Sequence, residues 1–265
     1  MSRPESRYDE MFARLGNSGA FGAFLMLGDP DFETCGTLLD ACAAGGADMI
    51  EVGIPFSDPV ADGPVIQDAA IRALKAGARV DDAFRQIAEF RARWPVIPIG
   101  ILTYANLLAA RGEARFMADA KAAGADSILI ADVPSLEAPP YSAWAKAAGL
   151  DLIMIAAPNT PPRVVEKIAA LSSGYTYVVA RGGVTGTRAD LALDHDALLR
   201  SLGDKGAPPA VLGFGISTPG HVRQALSAGA RGVISGSAIV KLVTEDDAPA
   251  RIESFVRDMK AATTD

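Results

Sequence analysis

The sequence predicts an α/β protein folded as a (β/α)8 TIM barrel with additional N-terminal and C-terminal helices. Three observations carry that reading. First, eight short apolar runs alternate with amphipathic stretches from end to end. Near-continuous apolar strands between helices mark a covered parallel sheet, and eight such units close a barrel. Second, helix ends run into strands through a recurring phrase: Ala44-Gly45-Gly46-Ala47-Asp48, Ala123-Gly124-Ala125-Asp126, Ala148-Gly149-Leu150-Asp151 and Ala228-Gly229-Ala230-Arg231. Each carries a glycine able to supply the left-handed turn after a helix, so one supersecondary unit is repeated. Third, the chain has 265 residues, 49% of them hydrophobic, a length at which an α/β barrel forms one domain. No linker or composition shift divides it, so 1–265 is read as a single domain.

The elements follow in order. A helix over Ser6–Leu15 precedes the first strand. The strands are expected at Phe21–Leu27, Met49–Ile54, Val96–Leu102, Ser127–Ala131, Leu152–Ala156, Tyr175–Ala180, Ala210–Gly213 and Gly232–Ile234. Helical periodicity separates consecutive strands, for example at Thr34–Ala44, Ile66–Ala76, Val80–Arg93 and Pro162–Leu171. Ala248–Ala262 closes the chain. The two terminal helices exceed the minimal barrel, and their simplest role is to plug or cover it.

Composition narrows the function. There are 25 basic residues against 32 acidic ones, a net charge of −7, the opposite of a nucleic-acid or anionic-membrane binder. Any anionic ligand must then be held by local geometry. Cys35 and Cys42 stand seven apart on one helix face, as small buried hydrophobes do. With no CxxC, and with His195 and His221 far apart, no His/Cys metal site is expected. The charged N-terminus lacks a signal-peptide apolar region, and no apolar run reaches the ~18 residues that span a bilayer. A cytoplasmic protein is expected.

In such barrels the chemistry sits in the loops after the strands. The second strand runs on into its loop as Glu51-Val52-Gly53-Ile54-Pro55-Phe56-Ser57-Asp58-Pro59-Val60-Ala61-Asp62-Gly63-Pro64. Alternation puts Ile50, Val52 and Ile54 on one face and Met49, Glu51 and Gly53 on the other. If the first set meets the helices, Glu51 points into the barrel. There an acid is either ion-paired or an acid/base with a tuned pKa. Asp62, just before a helix, reads on its own as a helix N-cap. Two glycine-rich loops, Gly213-Phe214-Gly215-Ile216-Ser217 and Ser235-Gly236-Ser237-Ala238, follow the last two strands. Barrels often cradle a phosphate there on backbone N–H groups. Arg181-Gly182-Gly183-Val184-Thr185-Gly186-Thr187-Arg188 reads as a lid or a plain surface loop. No lysine falls within an apolar run, which disfavours a Schiff-base aldolase. Carboxylates, a tyrosine or two and a phosphate cradle suit acid/base work without metal or cofactor on a phosphorylated substrate.

Several segments together resemble the tryptophan synthase α subunit family. They are Phe24-Leu25-Met26-Leu27-Gly28-Asp29-Pro30, Glu51 through Gly63, Ala131-Asp132-Val133-Pro134, Gly183-Val184-Thr185-Gly186, Gly213-Phe214-Gly215-Ile216 and Gly236-Ser237-Ala238-Ile239-Val240. The similarity runs in order over nearly the whole chain. It implies cleavage of indole-3-glycerol phosphate to indole and glyceraldehyde 3-phosphate. It also implies an α2β2 partnership with a β subunit that carries the pyridoxal phosphate and joins indole to serine, the α subunit itself using no cofactor.

By this resemblance Glu51 is the general acid/base, Asp62 accepts the indole N–H, and Tyr177 lies beside the substrate. Thr185 would hydrogen-bond Asp62 when the lid closes. Gly186, Gly215, Gly236 and Ser237 fall on phosphate-binding positions, and Phe24, Ile66, Leu102, Leu129, Ile155 and Phe214 on the indole pocket. Asp58, Pro59, Asn106 and Pro134 fall on the face toward the β subunit, although as sequence they are ordinary turn formers. A glutamate in an apolar interior should have a raised pKa, while loop-borne Asp62 should stay ionised. Met26 and Gly182 depart from the family pattern, which expects a small polar residue at the first and a serine or bulkier residue at the second. The extra lid glycine implies a looser lid and strong dependence on the β partner. Two alternatives share these residues: a free-standing lyase that releases indole, and a binding subunit that has lost its chemistry.

Overall fold

A computed structural model of the chain describes residues 6–179 and 195–264. Its strands are β1 (Ala20–Met26), β2 (Met49–Gly53), β3 (Ile99–Thr103), β4 (Ser127–Ile130), β5 (Asp151–Leu152), β6 (Ile155–Ala156), β7 (Thr176–Val179), β8 (Ala210–Gly213) and β9 (Gly232–Ser235). They form one parallel sheet in the order β5-β4-β3-β2-β1-β9-β8-β7-β6. The two ends of that order, β5 and β6, are halves of the expected fifth strand, parted only by Ile153 and Met154. The Ile153 N–H still donates to Ile128 O on β4 at 2.9 Å, and the Tyr177 N–H of β7 donates to Met154 O at 3.0 Å. The fifth run thus turns from one neighbour to the other, and the sheet closes into the (β/α)8 TIM barrel. The third strand starts later than its apolar run suggests. Val96 is solvent-exposed, and Pro98 has no N–H to give a ladder.

The helices are α1 (Arg7–Leu15), α2 (Phe32–Ala44), α3 (Pro64–Lys75), α4 (Val80–Arg93), α5 (Ala105–Arg111), α6 (Glu113–Ala122), α7 (Pro139–Ala148), α8 (Pro162–Leu171), α9 (Asp196–Asp204), α10 (Pro219–Ser227), α11 (Ser237–Leu242) and α12 (Ala248–Ala261). In the recurring helix-to-strand phrase, Gly46, Gly124, Gly149 and Gly229 all have positive φ, the conformation that glycine adopts without a Cβ penalty.

Alternation along the strands divides the apolar residues into two cores. Ile50, Val52 and Ile54 meet Leu38, Leu39, Cys35 and Cys42 between sheet and helices. Both cysteines are buried and free, and burial pushes the Cys35 thiol up to about 12. Phe24, Met49, Leu129, Tyr177, Val211 and Ile234 fill the barrel interior.

The terminal helices divide the two expected roles. α1 begins with a capping box, in which Asp9 accepts from the Ser6 N–H at 2.8 Å. It sends Tyr8 and Met11 into the interior core as a plug. The Tyr8 ring meets Tyr175 edge-on, centroids 5.2 Å apart. α12 instead covers α2, burying Ile252, Val256 and Met259 in the outer core. Gly45 makes that approach possible, because a Cβ there would lie 2.6 Å from the Glu253 carbonyl oxygen. Lys260 on α12 pairs with Asp48 at 2.6 Å. No helix of the described residues is long and apolar enough to cross a membrane.

Candidate active site

Strand pairing places Glu51 level with Phe24 on β1 and Gly100 on β3. Its side chain points into the barrel, 3% exposed. Tyr175, immediately before β7, donates its hydroxyl to Glu51 Oε1 at 3.2 Å. Among the described residues no cation is one of the groups that set the glutamate's pKa. Burial dominates and raises it from 4.5 to about 8, with the Asp62 charge adding and the Tyr175 hydrogen bond opposing. The ion-paired alternative for Glu51 is thus absent among the described residues. A carboxyl in this setting is mostly protonated at neutral pH.

Asp62 is not a helix cap. The N-cap of α3 is Gly63, without a side-chain bond, and Pro64 occupies the first turn. The Asp62 carboxylate instead takes a hydrogen bond from the Tyr104 hydroxyl, which in turn accepts from the Ala61 N–H at 3.3 Å. The backbone of Asp62 is fixed as well, its carbonyl accepting from Gln67 Nε2 at 2.7 Å. The aspartate is more buried than a loop position suggests, 6% exposed. Burial raises its pKa to about 6, against the lowering effect of Tyr104. Asp62 therefore stays largely ionised at pH 7, but not with the wide margin the sequence implied.

Both carboxylates line one pocket of ≈ 520 Å³, counting its open mouth. Its walls include Phe24, Ile66, Leu102, Tyr177 and Phe214, with Gly215, Gly236 and Ser237 on the far side. Leu129 and Ile155, also expected there, do not line the pocket: Leu129 is buried in the interior core, and Ile155, packed against that core, lines a separate cavity with Ile153 and Met154. Ile216, Ile234 and Ala238 line it although the sequence did not single them out. Tyr175 and Tyr104, which hold the two carboxylates, were also missed. The only available signal for Tyr175 was its inward parity with Tyr177, two residues on. Tyr104 belongs to a different βα unit from Asp62, so spacing carried no hint of the contact.

The far side consists of backbone. Phe214 and Gly215 both have left-handed φ, 65° and 84°. The Phe214 ring meets Tyr177 edge-on at 5.7 Å. Gly213 cannot be larger, since a Cβ there would overlap the Tyr177 hydroxyl and ring. Gly236 is the N-cap of α11 and Ser237 its first residue, so the first N–H groups of that turn lack an intrahelical acceptor, while the Ile239 N–H is bonded to Gly236 O at 2.9 Å. Such an arrangement receives an anion without a basic side chain.

Among the described residues no group of three or more His, Cys, Asp or Glu could hold a metal ion. Arg181 through Arg188, with Thr185 and Gly186, lies outside the described residues. The remaining candidates, Asp58, Pro59, Asn106 and Pro134, sit on exposed or half-buried loops and helix starts that follow β2, β3 and β4. They are apart from the pocket lining but on the same end of the barrel.

Comparison with known proteins matches the family model described as tryptophan synthase alpha chain over residues 12–264. A tryptophan synthase alpha chain of Shewanella amazonensis is 49% identical over 265 residues, covering 97% of this chain and 100% of the relative. Among solved structures, the tryptophan synthase a2b2 complex of Pyrococcus furiosus contains a chain with TM-score 0.85 and 36% identity, covering 91% of this chain and 98% of that one. A tryptophan synthase structure from Mycobacterium tuberculosis gives TM-score 0.88 at 29% identity, covering 97% and 98%. Fold and sequence agree over almost the full length, and the chain belongs to the tryptophan synthase alpha chain family.

Proposed function

We propose that the chain is the lyase subunit that cleaves indole-3-glycerol phosphate to indole and glyceraldehyde 3-phosphate, working as the α partner of a β subunit. One observation supports this reading above the others. A protonated Glu51 and an ionised Asp62 share one apolar pocket that ends in glycine-rich backbone. The cleavage breaks the bond between indole C3 and the glycerol carbon. C3 must gain a proton, and the hydroxyl on that glycerol carbon must lose one as the aldehyde forms. No electron carrier is needed, so the atoms balance without a cofactor.

Glu51 suits the proton transfers, since a carboxyl with a pKa near neutrality can both give and take a proton. Protonating C3 puts positive charge on the ring nitrogen. Asp62, ionised and held by Tyr104, would accept the N–H and stabilise that charge in a pocket that excludes much of the water. Phe24, Ile66, Leu102 and Phe214 offer the apolar walls for a flat bicyclic ring, with Tyr177 beside it. The phosphate would rest on Gly215, Gly236 and Ser237, and the family resemblance adds Gly186 and Thr185, which lie outside the described residues. The whole of 1–265 is taken as one domain without a pyridoxal phosphate site of its own.

Exposed apolar side chains favour a protein partner at the same end of the barrel. Val60 is 74% exposed beside Asp58 and Pro59, and Leu136 is 68% exposed two residues after Pro134. Both stand on loops at the end of the barrel where the pocket opens, and an apolar patch there would suit a docking partner. The indole formed would leave toward that partner. The deciding assay measures indole released from indole-3-glycerol phosphate by the chain alone and with a β subunit. Release is expected in both cases and faster in the complex. Glu51→Gln should bind substrate and form no indole; normal turnover by that variant would overturn the assignment.

A further inference from the structure

The loop after β8 is bent in a way that its own residues do not stabilise. Left-handed backbone is easy for Gly215 but unfavourable for Phe214. The peptide unit joining Ile216 to Ser217 is gripped on both sides. Its carbonyl oxygen accepts from Ser235 Oγ at 2.7 Å, and its N–H donates to His221 Nδ1 at 3.3 Å. In a trans peptide these two groups point in opposite directions, so the bonds act as opposed grips on one plane. The second bond also sets the histidine tautomer, because Nδ1 must be bare to accept.

The grips come from elements on either side of the loop. Ser235 is buried, ends β9 and directly precedes Gly236. His221 is half-buried in the first turn of α10. Its own N–H is bonded to the capping Thr218 Oγ1 at 3.2 Å, and the Ser217 hydroxyl lies 3.4 Å from the same Nδ1. Neither Ser235 nor His221 lines the pocket.

We propose that Ser235 and His221 are positioning residues for the phosphate end of the site: by pinning the Ile216–Ser217 peptide they keep the Phe214–Gly215 turn in the conformation that receives the anion. The inference rests on the phosphate reading of that pocket end. A backbone cradle binds well only when it is organised beforehand. Loosening the peptide populates other loop conformations and weakens binding in proportion. Glu51 sits on β2 and Asp62 on the loop that follows it, so the chemical step should be spared. The signature is a raised KM with an unchanged kcat.

The test uses the chain with its β subunit and three variants: Ser235→Ala, His221→Ala and His221→Asn. Each lost hydrogen bond should raise KM for indole-3-glycerol phosphate about three- to tenfold, with kcat within about twofold. Asparagine places an amide oxygen near the position of Nδ1, so His221→Asn should restore the wild-type KM, which a merely space-filling role would not require. Calorimetric titration with inorganic phosphate reads the same loss without catalysis. If Ser235→Ala does not fold, the two His221 variants carry the test. Wild-type phosphate binding with unchanged KM and phosphate affinity in the folded variants overturns this inference alone. A wild-type chain that binds no phosphate overturns the reading of the pocket as well.

Discussion

Glu51→Gln should make the protein more stable, and by an amount that grows with pH. Glutamine matches the volume of glutamate and keeps an oxygen to accept from Tyr175, so packing and the 3.2 Å hydrogen bond survive. It lacks only the ionisation. In the folded chain the Glu51 carboxyl titrates at about 8, against 4.5 when exposed. Between those values the folded state holds a proton that the unfolded chain has released. Wild-type stability therefore falls as pH rises through the window, by about 1.4 kcal/mol per pH unit, and levels off above the folded value. From pH 5 to pH 8 the loss is about 3.5 kcal/mol, and the glutamine variant does not share it. For a chain of this length that corresponds to about 7–14 °C in Tm. Urea titrations and thermal melts of both proteins at pH 5, 6, 7 and 8 give the difference, since carboxylates other than Asp62, whose charge reaches Glu51, titrate alike in the two. A stability difference constant across that range would refute the account of Glu51 as a buried, protonated acid.

Other expectations follow from the same geometry. The productive pair, protonated Glu51 with ionised Asp62, predominates between about pH 6 and pH 8, so indole formation should trace a bell with limbs near those values. Tyr104→Phe removes a donor that favours the Asp62 carboxylate and should move the acid limb to higher pH, as read from kcat/KM profiles. Gly213→Ala drives a methyl into the Tyr177 ring and should cost about 1–3 kcal/mol in urea denaturation, with loss of activity from the displaced tyrosine. Arg72→Ala strips Asp29 of its two-pronged partner, both bonds 2.7 Å. Since Asp29 is 1% exposed, the variant should lose about 2–4 kcal/mol at pH 7. The loss should shrink as pH falls and the stranded carboxyl takes up a proton.

What could be read from the sequence was what repeats or alternates. The inward direction of Glu51 follows from a strand whose other face is Ile50, Val52 and Ile54, because period 2 allows no other arrangement once those residues meet helices. The left-handed glycines Gly46, Gly124, Gly149 and Gly229 follow from their place between helix and strand. Contacts between distant units did not follow. Tyr104 reaches Asp62 from the next βα unit, and that contact, with burial, decides the aspartate's charge. The break between β5 and β6 was hidden because the run from Leu152 to Ala156 stays apolar whichever neighbour each residue pairs with. Leu129 and Ile155 show the limit of carrying roles by position: they align with Leu102 and Tyr177, which line the pocket, yet neither lines it itself.

That break also shapes how the barrel holds together. On one side of it Ser127 and Ile128 align with Asp151 and Leu152; on the other, Ile155 and Ala156 align with Tyr177 and Val178. The β1–β2 seam, farther along the sheet, aligns five residues on each strand. A closed sheet has no edges to offer another chain, and here that protection depends on two-residue pairings, matched in shortness only by β8–β9. The cylinder therefore has a clasp as well as a wall. Fluctuations that part the strands should begin at Ile153 and Met154, opening the hoop beside Tyr177 while the Glu51 side stays joined.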